Sequence, residues 1–110
     1  MRVAYAREKI GVAADRLATG TGNIKERIFQ AYLSFHTLSL EDFPEELQEE
    51  WSFIINTLTS VDATYDTKGE VTKGKVENSL LEMDEVTCQD VASNIIELDK
   101  KLKKIKKANW

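Results

Sequence analysis

His36 and Cys88 are the only histidine and the only cysteine in the 110-residue chain, so any imidazole or thiol chemistry must rest on them. General-base work by a histidine needs a partner that orients the ring and a cleft for substrate, and no third residue joins these two. His36 follows Phe35 within a helical pattern that runs on to Leu38 and reads as a partly buried helical histidine. Cys88 falls on an apolar seam, where cysteine acts as a small hydrophobe. A reactive thiol wants an exposed, electropositive site, and only the nearness of a helix N-terminus favours one here. One histidine and one cysteine do not build a structural zinc site. No catalytic, cofactor-binding or metal-binding residue is therefore assigned.

Two glycine-containing turns bear on ligand chemistry. Asp66-Thr67-Lys68-Gly69-Glu70-Val71 has a faint look of a calcium loop. Placing Gly69 at the required glycine makes Thr64, Lys68 and Lys75 ligands, all of the wrong type, so the match is rejected. Thr19-Gly20-Thr21-Gly22-Asn23 opens a helix with Arg16, Lys25 and Arg27 nearby, a setting that attracts anions. No strand precedes it and no Gly-Lys-Ser/Thr follows, so it reads as a helix–helix connection.

The remaining chemistry is charge. Glu41, Asp42, Glu45, Glu46, Glu49 and Glu50 fall within ten residues that hold no base, while Lys100, Lys101, Lys103, Lys104, Lys106 and Lys107 fall near the chain end with no acid among them. Acids in a first helical turn and lysines in a last turn both suit the helix dipole. Six acids exceed what a cap needs, and a dense acidic face imitates a nucleic acid or meets a basic protein. The lysines could contact phosphates, but they lack arginine and interleaved aromatics on a chain of net charge −4. Leu102, Ile105 and Trp110 beside them are too few for a membrane-surface helix.

These residues must be positioned by helices. Val3, Ala6, Ile10, Ala13 and Leu17 recur at steps of three and four and predict a helix from Val3 to Ala18. Gly20 is expected to stop it in the left-handed conformation. Asn23 with Glu26 forms a capping box for a second helix from Ile24 to Leu38, whose stripe of Ile24, Ile28, Ala31, Phe35 and Leu38 is widened by Phe29, Tyr32, Leu33 and His36. So little polar face predicts a central helix. Asp42 is expected to cap a third helix, answered by Glu45, with Pro44 in its first turn; Phe43, Leu47, Trp51, Ile54, Leu58 and Val61 supply its stripe up to about Ser60.

Residues 62–75 read as a polar connection turning at Lys68-Gly69, with a short hairpin around Gly69 as the lesser alternative. A short helix from Lys75 to Met83 follows, burying Val76, Leu80 and Met83. The last helix is capped by Thr87 with Asp90, and Cys88, Val91, Ile95, Leu98, Leu102 and Ile105 alternate steps of three and four, the spacing of a coiled-coil seam.

The whole predicts one all-α domain spanning residues 1–110: a four-helix bundle with a short additional helix before the last long one. Hydrophobic residues at 42% and charged residues at 31% fit a globular chain rather than a disordered one. No apolar run reaches the roughly 18 residues of a membrane span. The N-terminus lacks a signal peptide's apolar stretch and a lone cysteine forms no internal disulfide, so a cytoplasmic setting is expected.

Arg7-Glu8-Lys9, Leu17-Ala18, Gly20, Gly22, Ile24, Arg27, Ala31-Tyr32 and Asp42-Phe43-Pro44-Glu45-Glu46-Leu47 together resemble a set of small bacterial helical proteins of uncharacterised function. The resemblance covers the first half, in caps, core and turn residues. It implies a bacterial helical domain and transfers no catalytic residue.

The expected function is a non-enzymatic protein–protein interaction module: an accessory subunit, an inhibitor or an immunity-type protein. Glu41, Asp42, Glu45, Glu46, Glu49 and Glu50 would form its partner surface. The alternative is a nucleic-acid-associated accessory protein working through Lys100, Lys103, Lys104, Lys106 and Lys107. Self-association through the last helix is also expected, its lysines meeting the acids of a second copy.

Overall fold

Each helix forms because its apolar residues return every three or four positions and find a neighbour to bury them. The structure is a computed structural model that describes residues 2–105. Five helices follow in order: α1 (Val3–Thr19), α2 (Ile24–Phe35), α3 (Glu45–Leu58), α4 (Lys75–Glu82) and α5 (Glu85–Lys104). A 3-10 turn, Leu40–Asp42, joins α2 to α3, and a hairpin of β1 (Thr64–Tyr65) and β2 (Val71–Lys73) joins α3 to α4. The fold is mainly helical, as expected, and no described helix is long and apolar enough to cross a membrane.

The predicted stripe of α1 is buried in full. α1 packs along α2 and α5, and α5 also touches α2 and α3. Cys88, Val91, Ile95, Leu98 and Leu102 are wholly enclosed, while Ile105, just past the helix, is half-buried. The seam of the last helix therefore packs inside its own chain. A second copy seated on it would have to displace the core, which removes the seam as a self-association surface. One hydrophobic cluster unites these residues with Ile28, Phe35, Phe43, Trp51, Ile54 and Leu58. Trp51 stacks on Phe43 at 4.7 Å between ring centroids and meets Phe35 edge-on at 5.4 Å, geometries that suit aromatic quadrupoles.

Several local expectations are corrected. α2 ends at Phe35 rather than Leu38, and α5, not α2, buries the most residues: Leu33 and His36 face water, and Phe29 and Tyr32 are half-covered on the flank. Gly20 ends α1 in an extended conformation (φ −66°, ψ 161°), not a left-handed one. It is required for space, because a Cβ there would collide with the Arg16 carbonyl oxygen and lie 2.9 Å from Gln30 Oε1. The left-handed residue of this turn is Gly22, at φ 93°. Asn23 and Glu26 do form the capping box.

α3 begins after Pro44 with no side-chain cap, and Asp42 lies upstream in the 3-10 turn. The cap of α5 is Asp84, whose carboxylate accepts the Thr87 N–H at 2.7 Å. The helix thus starts before the Thr87–Asp90 pair. Residues 64–73 are the hairpin, not a loop: Tyr65 faces Val71, Thr64 faces Lys73, and a bulge lies between the two pairs. Asp66 Oδ1 accepts the N–H groups of Lys68 and Glu70, and Gly69 turns the chain at φ 81°. The base is fastened to α4 by buried Ser79, whose Oγ accepts the Val61 N–H, and by Asn78 Nδ2, which donates to the Asp62 carbonyl and Thr64 Oγ1.

Candidate functional site

The acidic run divides into three environments because it straddles the entry to α3. Asp42 faces inward. Its carboxylate, 4% exposed, receives Arg2 Nε at 2.8 Å and Arg2 Nη2 at 3.0 Å, a two-pronged pair across 40 residues of chain. It also accepts the Ser39 N–H and hydroxyl. Burial pushes the Asp42 carboxyl up, but Arg2 and the two Ser39 donors outweigh that, and the net effect holds it below the ordinary aspartate value. Arg2 in turn lies over the Tyr5 ring, 4.6 Å from its centroid, and the Tyr5 hydroxyl shares a hydrogen bond with Thr37 Oγ1. Asp42 thus ties the start of α1 to the α2–α3 connection. It is a structural anchor, not part of an exposed acidic face.

Glu50 is the second environment. It is half-covered and binds Lys101 of α5 at 2.6 Å, while its other oxygen is enclosed without a partner among the described residues. Side by side, Glu46, Leu47 and Glu50 of α3 and Lys101, Lys104 and Ile105 of the chain's last described turn line one shallow depression. Acidic start and basic end therefore adjoin within one chain, and the expected pairing between copies is made here internally.

Glu41, Glu45, Glu46 and Glu49 form the third environment. All four are exposed, and none makes an ion pair or side-chain hydrogen bond with a described residue. They occupy the 3-10 turn and the first five residues of α3, where the unsatisfied N–H groups favour negative charge. Phe53, 42% exposed, lies four residues beyond Glu49 and seven beyond Glu46, which places it on the same side of the helix.

The lysines are arranged differently. Lys100 pairs with Glu97 at 3.5 Å, Lys101 with Glu50, and Lys103 with Asp99 at 2.9 Å. The hydrogen bonds they donate to Glu50 and Asp99 raise Lys101 and Lys103 above the ordinary lysine value. Asp99 itself is buried beside Gly11 of α1, and its Oδ1 has no partner among the described residues. Lys104 is exposed and carries no such pair with a described residue. Lys106 and Lys107 lie outside the described residues.

His36, expected to be partly buried, is exposed at the C-terminal end of α2. Cys88 is fully enclosed, and burial pushes its thiol up, away from the thiolate. The Thr19–Asn23 turn is a helix–helix connection, with the Glu26 N–H taken by Asn23 and Arg27 Nη1 donating to the Leu17 carbonyl. No group of three or more metal-ligating residues occurs among the described residues. No protein-family model, curated protein or solved structure matches the chain.

Sequence reasoning missed the ion pair of Arg2 with Asp42. Its one signal is that Asp42 has Ser39 three residues before it, the spacing of a side-chain cap on a short turn.

Proposed function

We propose that the chain is a small non-enzymatic protein–protein interaction module of a bacterial cytoplasm, an accessory subunit, inhibitor or immunity-type protein. Its helices α1, α2, α3 and α5 are read as a four-helix bundle and α4 as the additional helix. The partner surface is the exposed acidic turn of Glu41, Glu45, Glu46 and Glu49, with Phe53 at its edge. One observation carries the reading: these four carboxylates have no described partner, whereas Lys100, Lys101 and Lys103 are each engaged by an acid of the same chain. Unpaired charge is what steers a complementary partner. A lysine already paired must break that pair before it neutralises a phosphate, which ranks the nucleic-acid reading second.

The test is a capture from cell extract with three proteins in parallel, each with and without nuclease. They are wild type, Glu45→Lys/Glu46→Lys/Glu49→Lys, and Lys100→Gln/Lys103→Gln/Lys104→Gln. Loss of a nuclease-resistant partner in the acid variant alone is expected. A nuclease-sensitive partner lost only with the lysines selects nucleic acid instead. Equal recovery by all three overturns both.

A further inference from the structure

α1 and α2 leave a second unpaired surface on the outside of the molecule. Lys9, Val12 and Arg16 of α1 with Gln30, Leu33 and Ser34 of α2 line an open groove of about 340 Å³. Its lining holds two cations and no acid, on a chain whose net charge is −4. Val12 is 39% exposed and Leu33 54%. Neither Arg16 nor Lys9 forms an ion pair with a described residue, although Lys9 lies 5.4 Å from the Tyr5 ring centroid. Seven residues, two helical turns, separate Lys9 from Arg16, so the charges are rooted roughly 10 Å apart along the axis with Val12 between them.

The same chain carries the complement. On α3, Glu46 and Glu49 are exposed and have no ion-pair partner among the described residues, and Phe53 stands on their side of the helix, also exposed. A helix face of exposed acids beside a large apolar side chain is complementary in charge and polarity to a groove that holds two cations and an apolar floor. We infer that the α1–α2 groove receives α3 of a second copy of this chain. The contact is held by Glu46 and Glu49 against Lys9 and Arg16 and by Phe53 against Leu33. It rests on the acidic face being a recognition surface and names a second copy as one occupant. If two copies each seat α3 in the other's groove the contact closes as a two-fold dimer, and if the contact is one-way it is heterologous and forms a ring or a chain.

Sedimentation of the purified chain over a range of concentrations, at low and high salt, reads the association. Wild type is expected to self-associate at low salt and to dissociate as salt screens the pairs. Lys9→Glu/Arg16→Glu and Glu46→Lys/Glu49→Lys should each stay folded by circular dichroism. Each should raise the dissociation constant roughly tenfold or more. Mixing the two variants should restore association, since each then supplies the surface the other lacks: reversed groove meets reversed ridge. Leu33→Ser should weaken association without altering its salt dependence.

A wild type that stays monomeric throughout, or two folded variants that fail to associate when mixed, overturns the inference. Those results leave the acidic-surface reading standing if Glu45→Lys/Glu46→Lys/Glu49→Lys still loses its partner in the capture experiment. If that variant loses nothing there while the wild type self-associates and the mixture restores binding, the acidic face serves self-association alone.

Discussion

The acidic run before and within α3 and the lysine run at the end of α5 look alike as sequence. Each has six like charges in about ten residues, and each sits where a helix dipole welcomes it. Folded, they differ. Three of the described lysines are engaged by acids of the same chain, one of them across 51 residues to Glu50. Of the acids, Asp42 is taken inside and Glu50 is paired, while four remain open to solvent. A charge run reports where charge is. Whether it is available to a partner depends on which elements pack beside it, and α5 happens to lie against α3 at the point where their charges oppose.

The largest effect should come from the core that holds the two runs together. Leu98 is fully buried, one turn before Leu102 and three residues before Lys101, which pairs with Glu50 of α3. Leu98→Ala is expected to lower stability by about 2–5 kcal/mol, read as a shift in the urea midpoint. An unchanged midpoint would show that α5 does not anchor the lysine end, and the comparison would fail at its root.

Next is the contrast inside the acidic run. Asp42→Ala removes a buried carboxylate with four hydrogen-bond donors. Arg2 is mostly exposed and can be rehydrated, so the cost should be about 1–3 kcal/mol rather than that of a stranded buried charge. Glu45→Ala, a few residues on, should change stability by less than about 0.5 kcal/mol. Equal effects would erase the distinction between anchor and open face.

Acid unfolding sharpens the same point. The folded pKa of Asp42 lies below its ordinary 3.8, so its contribution is fully present above that value and is lost as pH falls through the folded pKa. Wild type should therefore lose more stability than Asp42→Asn as pH drops from neutrality to below the folded pKa. Parallel curves over that window would mean the Arg2 pair contributes nothing.

The smallest expected effect is on the open acids together. Glu45→Lys/Glu46→Lys/Glu49→Lys should keep its helical circular dichroism and stay within about 1 kcal/mol of wild type, since exposed charges contribute little to stability. Melting of the variant would make these residues structural and undercut the proposed surface.

The sequence by itself determined most of the helices. Periods of three and four gave α1 and α4 to within a residue and the buried stripes of α3 and α5, though not where those two helices start, and Asn23 with Glu26 gave the start of α2, because amphipathic spacing and capping are local and need no knowledge of neighbours. It marked where the charge concentrates. The hairpin was harder to read: Tyr65 and Val71 bury nothing and Asp66 folds the turn on itself, so no core-facing alternation marks the strands.

Only the tertiary structure decided which charges are open. Asp42 differs from Glu45 not by its own chemistry but because Arg2, forty residues away, and Ser39 close over it. Lys101 differs from Lys104 because Glu50 of α3 stands within reach. Gly20 is required not by its dihedral angles but by Arg16 and Gln30 crowding its α-carbon. Each depends on distances between segments remote in the chain, and local periodicity and propensity carry no record of those distances.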